Sequence, residues 1–161
     1  MCGIIGSFGI SFDRLSYSNN LQKHRGPDDS GIFFDHNKKV GLAHTRLCIL
    51  DLSSLGHQPM LSDDGKVVLI FNGEIYNYQV LRRELEANDV HFRSKTDSEV
   101  ILKLYLVEGE TMLTKLNGMF AFAIWDARSN VFFIARDGLG VKPLYYSTTS
   151  SKFAFASEIK A

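Results

Sequence analysis

The stretch from Met119 to Trp125, Met-Phe-Ala-Phe-Ala-Ile-Trp, is nearly all apolar, and Val131 to Ala135 repeats the pattern after the turn-forming Asp126-Ala127-Arg128-Ser129-Asn130. A short apolar run bounded by turn residues marks a strand covered on both faces rather than one with a wet side. A chain that carries such a strand has to bury it between two layers. Gly3 to Ile10 is an apolar, Gly-punctuated strand, and Gly31 to Phe34 and Val40 to His44 are strands joined at Asp35-His36-Asn37-Lys38. Lys66 to Phe71 is a β-branched strand bounded by Asp64-Gly65 and Asn72-Gly73. Tyr78 to Ala87 carries Val80, Leu81 and Leu85 at helical spacing. Ser98 to Val107 carries Val100, Ile101, Leu104 and Tyr105, with Asp97 and Ser98 where an N-cap belongs. The polar residues from Ser11 to Lys23 leave room for no more than a short helix around Leu15 to Leu21, and Leu144 to Ser147 and Lys152 to Ala156 are shorter strands. Strands, two central helices, then strands again predict an α+β domain: two sheets face to face with helices outside, not a doubly wound parallel sheet.

The charge balance narrows the function. Eighteen Lys and Arg offset eighteen Asp and Glu, for a formal net charge of zero. That argues against the broad basic footprint of a nucleic-acid binder and against a polybasic membrane-surface protein. No apolar run approaches the ~18 residues that a spanning helix needs. The opening Met1-Cys2-Gly3-Ile4 lacks the basic region of a secretory signal, and two cysteines, Cys2 and Cys48, cannot form a disulfide framework, so a cytoplasmic setting is expected. His24, His36, His44, His57 and His91 are scattered without metal-ligand spacing and are expected to be solvated or core residues. Gly138-Leu139-Gly140-Val141-Lys142 lacks the spacing of a phosphate loop.

Cys2 is the residue with the most chemistry. Removal of Met1 would leave a thiol and a free α-amino group on one residue, and their ordinary pKa values, roughly 8.5 and 7.7–8.0, let the amine take the thiol proton. The alternative is a small hydrophobe at the chain's end. Asn72-Gly73 offers a side-chain NH₂ and an approachable backbone N–H, the donors an oxyanion needs. The same dipeptide also favours a hairpin turn, but a helix follows it, which points to a corner with a function. Arg46, Glu74 and Asp97 could hold a zwitterion, the guanidinium on a carboxylate and the two carboxylates on an ammonium; surface ion pairs, or a helix cap for Asp97, are the alternatives.

Together these segments resemble a family. Met1 to Ile4, His24-Arg25-Gly26-Pro27-Asp28, His44-Thr45-Arg46-Leu47, Asn72-Gly73-Glu74-Ile75-Tyr76-Asn77 and Thr96-Asp97-Ser98-Glu99 are similar to the class II glutamine amidotransferases. Gln58-Pro59-Met60, Gly118 to Ala123, Arg136-Asp137, Lys142 to Tyr146 and Ala156 to Lys160 narrow the likeness to the glutaminase domain of glutamine-hydrolysing asparagine synthetases. The resemblance implies an N-terminal-nucleophile hydrolase fold, a four-layer αββα sandwich of two antiparallel sheets, over residues 1–161. It implies that Cys2 attacks the amide of L-glutamine, that Asn72 and Gly73 form the oxyanion hole, and that Arg46 binds the α-carboxylate. Glu74 and Asp97 would bind the α-ammonium, with the backbone of Ile49 and Leu50 lining the pocket. It implies no cofactor here, with ATP and Mg²⁺ confined to a synthetase domain that receives the ammonia and lies outside this chain. A homodimer is left open, as are a sugar-modifying acceptor domain and a non-catalytic binding module that keeps Met1. Two departures stand out: the stretch between Phe12 and His24 is short for the expected amphipathic helix, so a thinner outer layer is expected there, and Cys48 stands where the family often has serine.

Overall fold

The computed structural model describes residues 1–51 and 53–161. Among the described residues, nine strands form two antiparallel sheets. The first has the order β2 (Asp29–Asp35), β3 (Val40–Arg46), β1 (Gly3–Phe8), β9 (Phe153–Ala156) and β8 (Tyr145–Thr148). The second has the order β4 (Met60–Leu61), β5 (Val67–Ile75), β6 (Gly118–Asp126) and β7 (Val131–Arg136). Helix α1 (Phe12–Leu21) lies on the outer face of the first sheet, where Leu15 packs with Ile5, Ala43 and Ala156. Helices α2 (Tyr78–Glu86) and α3 (Asp97–Glu108) cover the outer face of the second, their Leu81, Leu85, Val100 and Leu104 packing on Val67, Leu69 and Phe71. Between the sheets, Ile4, Val40 and Leu42 meet Val68, Ile70, Ala121, Ala123 and Trp125. These are the four αββα layers that the resemblance implies, and β6 is the doubly covered strand at their centre. Among the described residues no helix is long and apolar enough to cross a membrane.

Several boundaries differ from the sequence expectation, each for a local reason. β1 stops at Phe8 rather than Ile10, because Gly9 adopts φ 74° and its N–H turns to the Lys39 carbonyl at 2.8 Å. α1 is longer than the short helix expected, running from Phe12, and it buries Leu15 and Asn19 in spite of its polar composition. This one ten-residue helix forms the outer layer over the first sheet. α3 is capped by Thr96, not by Asp97 or Ser98: the Thr96 hydroxyl accepts from the Glu99 N–H at 3.2 Å, which leaves the Asp97 carboxylate for another use. The largest difference is at β5, which does not end at Phe71.

Candidate active site

The two-residue period of the strands decides which side chains meet. Even-numbered residues of β1, β3 and β5 face the space between the sheets. Followed to one end of the sandwich, those faces bring Cys2, His44 and Arg46 from the first sheet towards Asn72 from the second. There the molecule opens into a cleft bordered by Cys2, Arg46, Ile49, Leu50, Gly73, Glu74 and Asp97. Asn72 lies just beneath, 1% exposed, with its side-chain NH₂ buried and unpartnered. Every predicted site residue therefore borders this cleft or, for Asn72, directly precedes a residue that does.

Asn72-Gly73 is neither a hairpin turn nor a corner. β5 continues through both residues, pairing Asn72 with Ala121, Gly73 with Phe120 and Glu74 with Met119. The ladder then fixes where each N–H points. Tyr76 N–H bonds the Asn117 carbonyl at 2.7 Å, so even-numbered residues of β5 face β6 and odd-numbered ones face the opposite edge. On that edge β4 is too short to pair past Leu69. Phe71 N–H donates instead to Gln58 Oε1 at 2.7 Å, and Ile75 N–H to Asp97 Oδ2 at 3.1 Å. Gly73 N–H, between them, has no partner among the described residues and borders the cleft. A side chain at position 73 would run into the Met119 carbonyl and come within 2.7 Å of Phe120 Cα, so only glycine lets β5 and β6 approach here.

Cys2 Sγ lies at 3.4 Å from the Leu47 N–H, which donates to it, and at 3.7 Å from the Leu47 carbonyl. Burial raises the thiol pKa; the Leu47 bond, the positive amino terminus and Arg46 oppose the rise. The Cys2 carbonyl accepts from Arg25 Nε at 2.9 Å, and Arg25 Nη1 reaches Glu158 at 3.2 Å. Asp28 of the same segment accepts the Cys48 N–H at 2.8 Å, so the His24–Asp28 motif frames Cys2 rather than lining the cleft. Nothing in these contacts explains a cysteine at position 48.

Arg46 is buried, and its guanidinium donates to the carbonyls of Ser53 at 3.1 Å, Leu50 at 3.4 Å and Asp51 at 2.5 Å. It thereby shapes the loop that presents Ile49, 72% exposed, and Leu50 to the cleft. Opposite, burial raises the Asp97 carboxyl from its ordinary 3.8 to about 6; the Ile75 N–H works against that rise and neighbouring Glu74 adds to it. A fixed cation thus stands near one wall and two carboxylates near the other.

Sequence reasoning missed Gln58, Phe71, Thr96 and Ser98, which also border the cleft. Gln58 spans layers, with Oε1 on β5 and Nε2 donating to Ser98 Oγ at 3.2 Å. Its one signal was the Gln58-Pro59-Met60 motif, which carries the resemblance but assigns Gln58 no role. His44 is a core histidine: its Nε2 lies 3.0 Å from the Phe71 carbonyl on the facing sheet, and burial lowers its pKa from 6.5 to about 4.

The family model described as a glutamine amidotransferase domain matches residues 1–161. The chain is 42% identical, over all of its length, to asparagine synthetase [glutamine-hydrolyzing] 1 of Bacillus subtilis and to asparagine synthetase B [glutamine-hydrolyzing] of Escherichia coli. It spans 26% and 30% of the length of those two relatives. The solved structure of the B. subtilis glutamine phosphoribosylpyrophosphate amidotransferase superposes with a TM-score of 0.81 at 22% identity, over 98% of this chain and 42% of the other.

Proposed function

Because this chain belongs to the glutamine amidotransferase domain family, we propose that it hydrolyses L-glutamine to glutamate and ammonia on Cys2. The observation that carries the reading is the pair of unpartnered donors, Gly73 N–H and the Asn72 NH₂, held at the cleft end that also bears the Cys2 thiol. Unpaired donors near a nucleophile are what a developing oxyanion requires.

Met1 precedes Cys2 in the structure, its Sδ at 3.7 Å from Lys142 Nζ, so the proposed nucleophile forms when Met1 is cleaved. The Cys2 α-amine then takes the thiol proton, which supplies the thiolate that burial disfavours. The sulfur attacks the amide carbon, and the resulting oxyanion is held by Asn72 and Gly73. As the C–N bond breaks, the α-ammonium returns its proton to the departing nitrogen and ammonia leaves. Water, deprotonated by the same amine, cleaves the γ-glutamyl thioester and releases glutamate. Arg46 would take the substrate α-carboxylate and Glu74 with Asp97 its α-ammonium. Ile49 and Leu50 would wall the pocket.

In the full-length enzyme the ammonia would go to a synthetase part that activates aspartate with ATP and Mg²⁺. No residue of this chain is assigned to either group. The names of the relatives support an asparagine-forming acceptor over a sugar-modifying one. A cytoplasmic setting completes the proposal, since a nucleophilic thiol stays reduced there.

The test is an intact mass spectrum before and after an electrophilic glutamine analogue. Loss of Met1 and a single adduct, absent from Cys2→Ala, is the expected result. An adduct elsewhere, or turnover with Met1 retained, would remove Cys2 or its amine from the mechanism.

A further inference from the structure

β5 reaches the oxyanion position with no strand on the edge away from β6. β4 pairs only with Val68 and Leu69, and the next backbone groups on that edge belong to Phe71, Gly73 and Ile75. Two buried side chains from different layers stand in for the missing strand at Phe71. Gln58 Oε1 accepts the Phe71 N–H at 2.7 Å, and Gln58 Nε2 is anchored on Ser98 Oγ at 3.2 Å, next to Asp97 on α3. His44 Nε2, from the sheet that carries Cys2, meets the Phe71 carbonyl at 3.0 Å. A carbonyl can only accept, so Nε2 carries the proton, and Nδ1 is left as a buried atom with no partner. The fold tolerates that bare nitrogen and keeps the one contact that ties the two sheets together at the residue before Asn72.

We propose that His44 and Gln58 form a clamp on the Phe71 peptide that sets the distance between the Cys2 sulfur and the Asn72 and Gly73 donors. They are positioning residues: neither needs to touch the substrate's reacting carbonyl. The inference rests on the reading of Asn72 and Gly73 as the oxyanion hole. It follows from the register of β5, in which Phe71 is two residues before Gly73 on the same edge and directly precedes Asn72. With Ile75 N–H fixed on Asp97 Oδ2, the edge is pinned on both sides of the Gly73 N–H, which has no partner among the described residues.

The test compares two ligands on the full chain with Met1 removed. The aldehyde analogue of glutamine adds to Cys2 to give a thiohemiacetal whose oxygen occupies the oxyanion position, whereas L-glutamate uses only the pocket ends. Gln58→Leu keeps the volume and loses both bonds. It is expected to weaken aldehyde binding and kcat about 10–100-fold, the scale of a small misplacement at a reacting centre, with glutamate affinity and KM changed less than about 3-fold. His44→Asn, whose amide falls short of Phe71, should behave alike. His44→Gln, whose amide reaches as far as Nε2, should recover most of the loss. Ser98→Ala frees only the outer anchor and is expected to give a smaller loss in the same direction, so a His44 variant that fails to fold leaves the comparison intact. Equal losses for both ligands, or no loss for either, overturn the clamp. Asn72→Ala is the control: if it too leaves aldehyde affinity unchanged, the oxyanion-hole reading falls, and if it alone loses affinity, only the clamp does.

Discussion

At Asn72 a buried NH₂ without a partner is a stability cost that a purely structural residue has no reason to carry, roughly 1–3 kcal/mol for an unsatisfied buried donor. Asn72→Ala is therefore expected to lower kcat about 10²–10³-fold with little change in KM, the usual loss when one oxyanion donor is removed. A fall in glutamine binding that matches the fall in kcat would make Asn72 a pocket residue instead. Arg46 has one task in the fold and a second in the proposed mechanism. It holds three loop carbonyls and keeps donors to spare for a carboxylate. Arg46→Lys is expected to reduce glutamine affinity about 10–100-fold, since an ammonium cannot reproduce the planar fork. Calorimetric titration showing wild-type affinity would take Arg46 out of substrate recognition.

β5 works as an element because its edge N–H groups have four different fates in sequence. Leu69 pairs with β4, Phe71 with Gln58, Gly73 with nothing among the described residues, and Ile75 with Asp97. Backbone alternation alone puts the free donor in the cleft. Gly73→Ala would force β5 and β6 apart at Met119 and Phe120, an overpacking expected to cost about 1–3 kcal/mol. At ~2–4 °C per kcal/mol for a chain of this size, calorimetry should find Tm lower by several degrees. An unchanged Tm would mean that the strands have more room than this geometry gives them. The edge was hard to read beforehand because Asn-Gly is a strong turn signal locally. Pairing with β6, more than forty residues on, overrides it.

For the whole molecule, two buried titratable groups pull stability in opposite directions with pH. Asp97 binds its proton more tightly folded than unfolded, about 6 against 3.8, so its contribution is full below 3.8 and is lost as pH rises through 6. His44 does the reverse: its contribution is full above 6.5 and is lost as pH falls through about 4. Each displacement is on the order of 3 kcal/mol, so the two largely offset one another between pH 4 and 6. Asp97→Asn removes one arm. The variant is expected to exceed wild type in Tm at pH 8, with the gap closing below about pH 4, and to bind glutamine poorly at every pH. A Tm difference that does not vary with pH would refute the burial of a charged Asp97. The molecule keeps that carboxylate at a cost in stability, as expected where a site needs an anion.

The layers and the cast of residues are legible in the chain alone. Apolar runs and helical spacing mark eight of the strands and the two central α-helices, with α1 expected only as a short helix, and the family resemblance groups Cys2, Arg46, Asn72, Gly73, Glu74 and Asp97. These are local signals, set by side-chain period and by the chemistry of single residues. The two-residue β4, the extension of β5 through Asn72 to Ile75, the Thr96 cap and the bonds of Gln58 and His44 to Phe71 came only from the tertiary structure. Each depends on which distant backbone group lies opposite and unpaired. A hydrogen bond between residues far apart in the chain leaves no periodicity to read, because its partner is chosen by the packing of one sheet on the other.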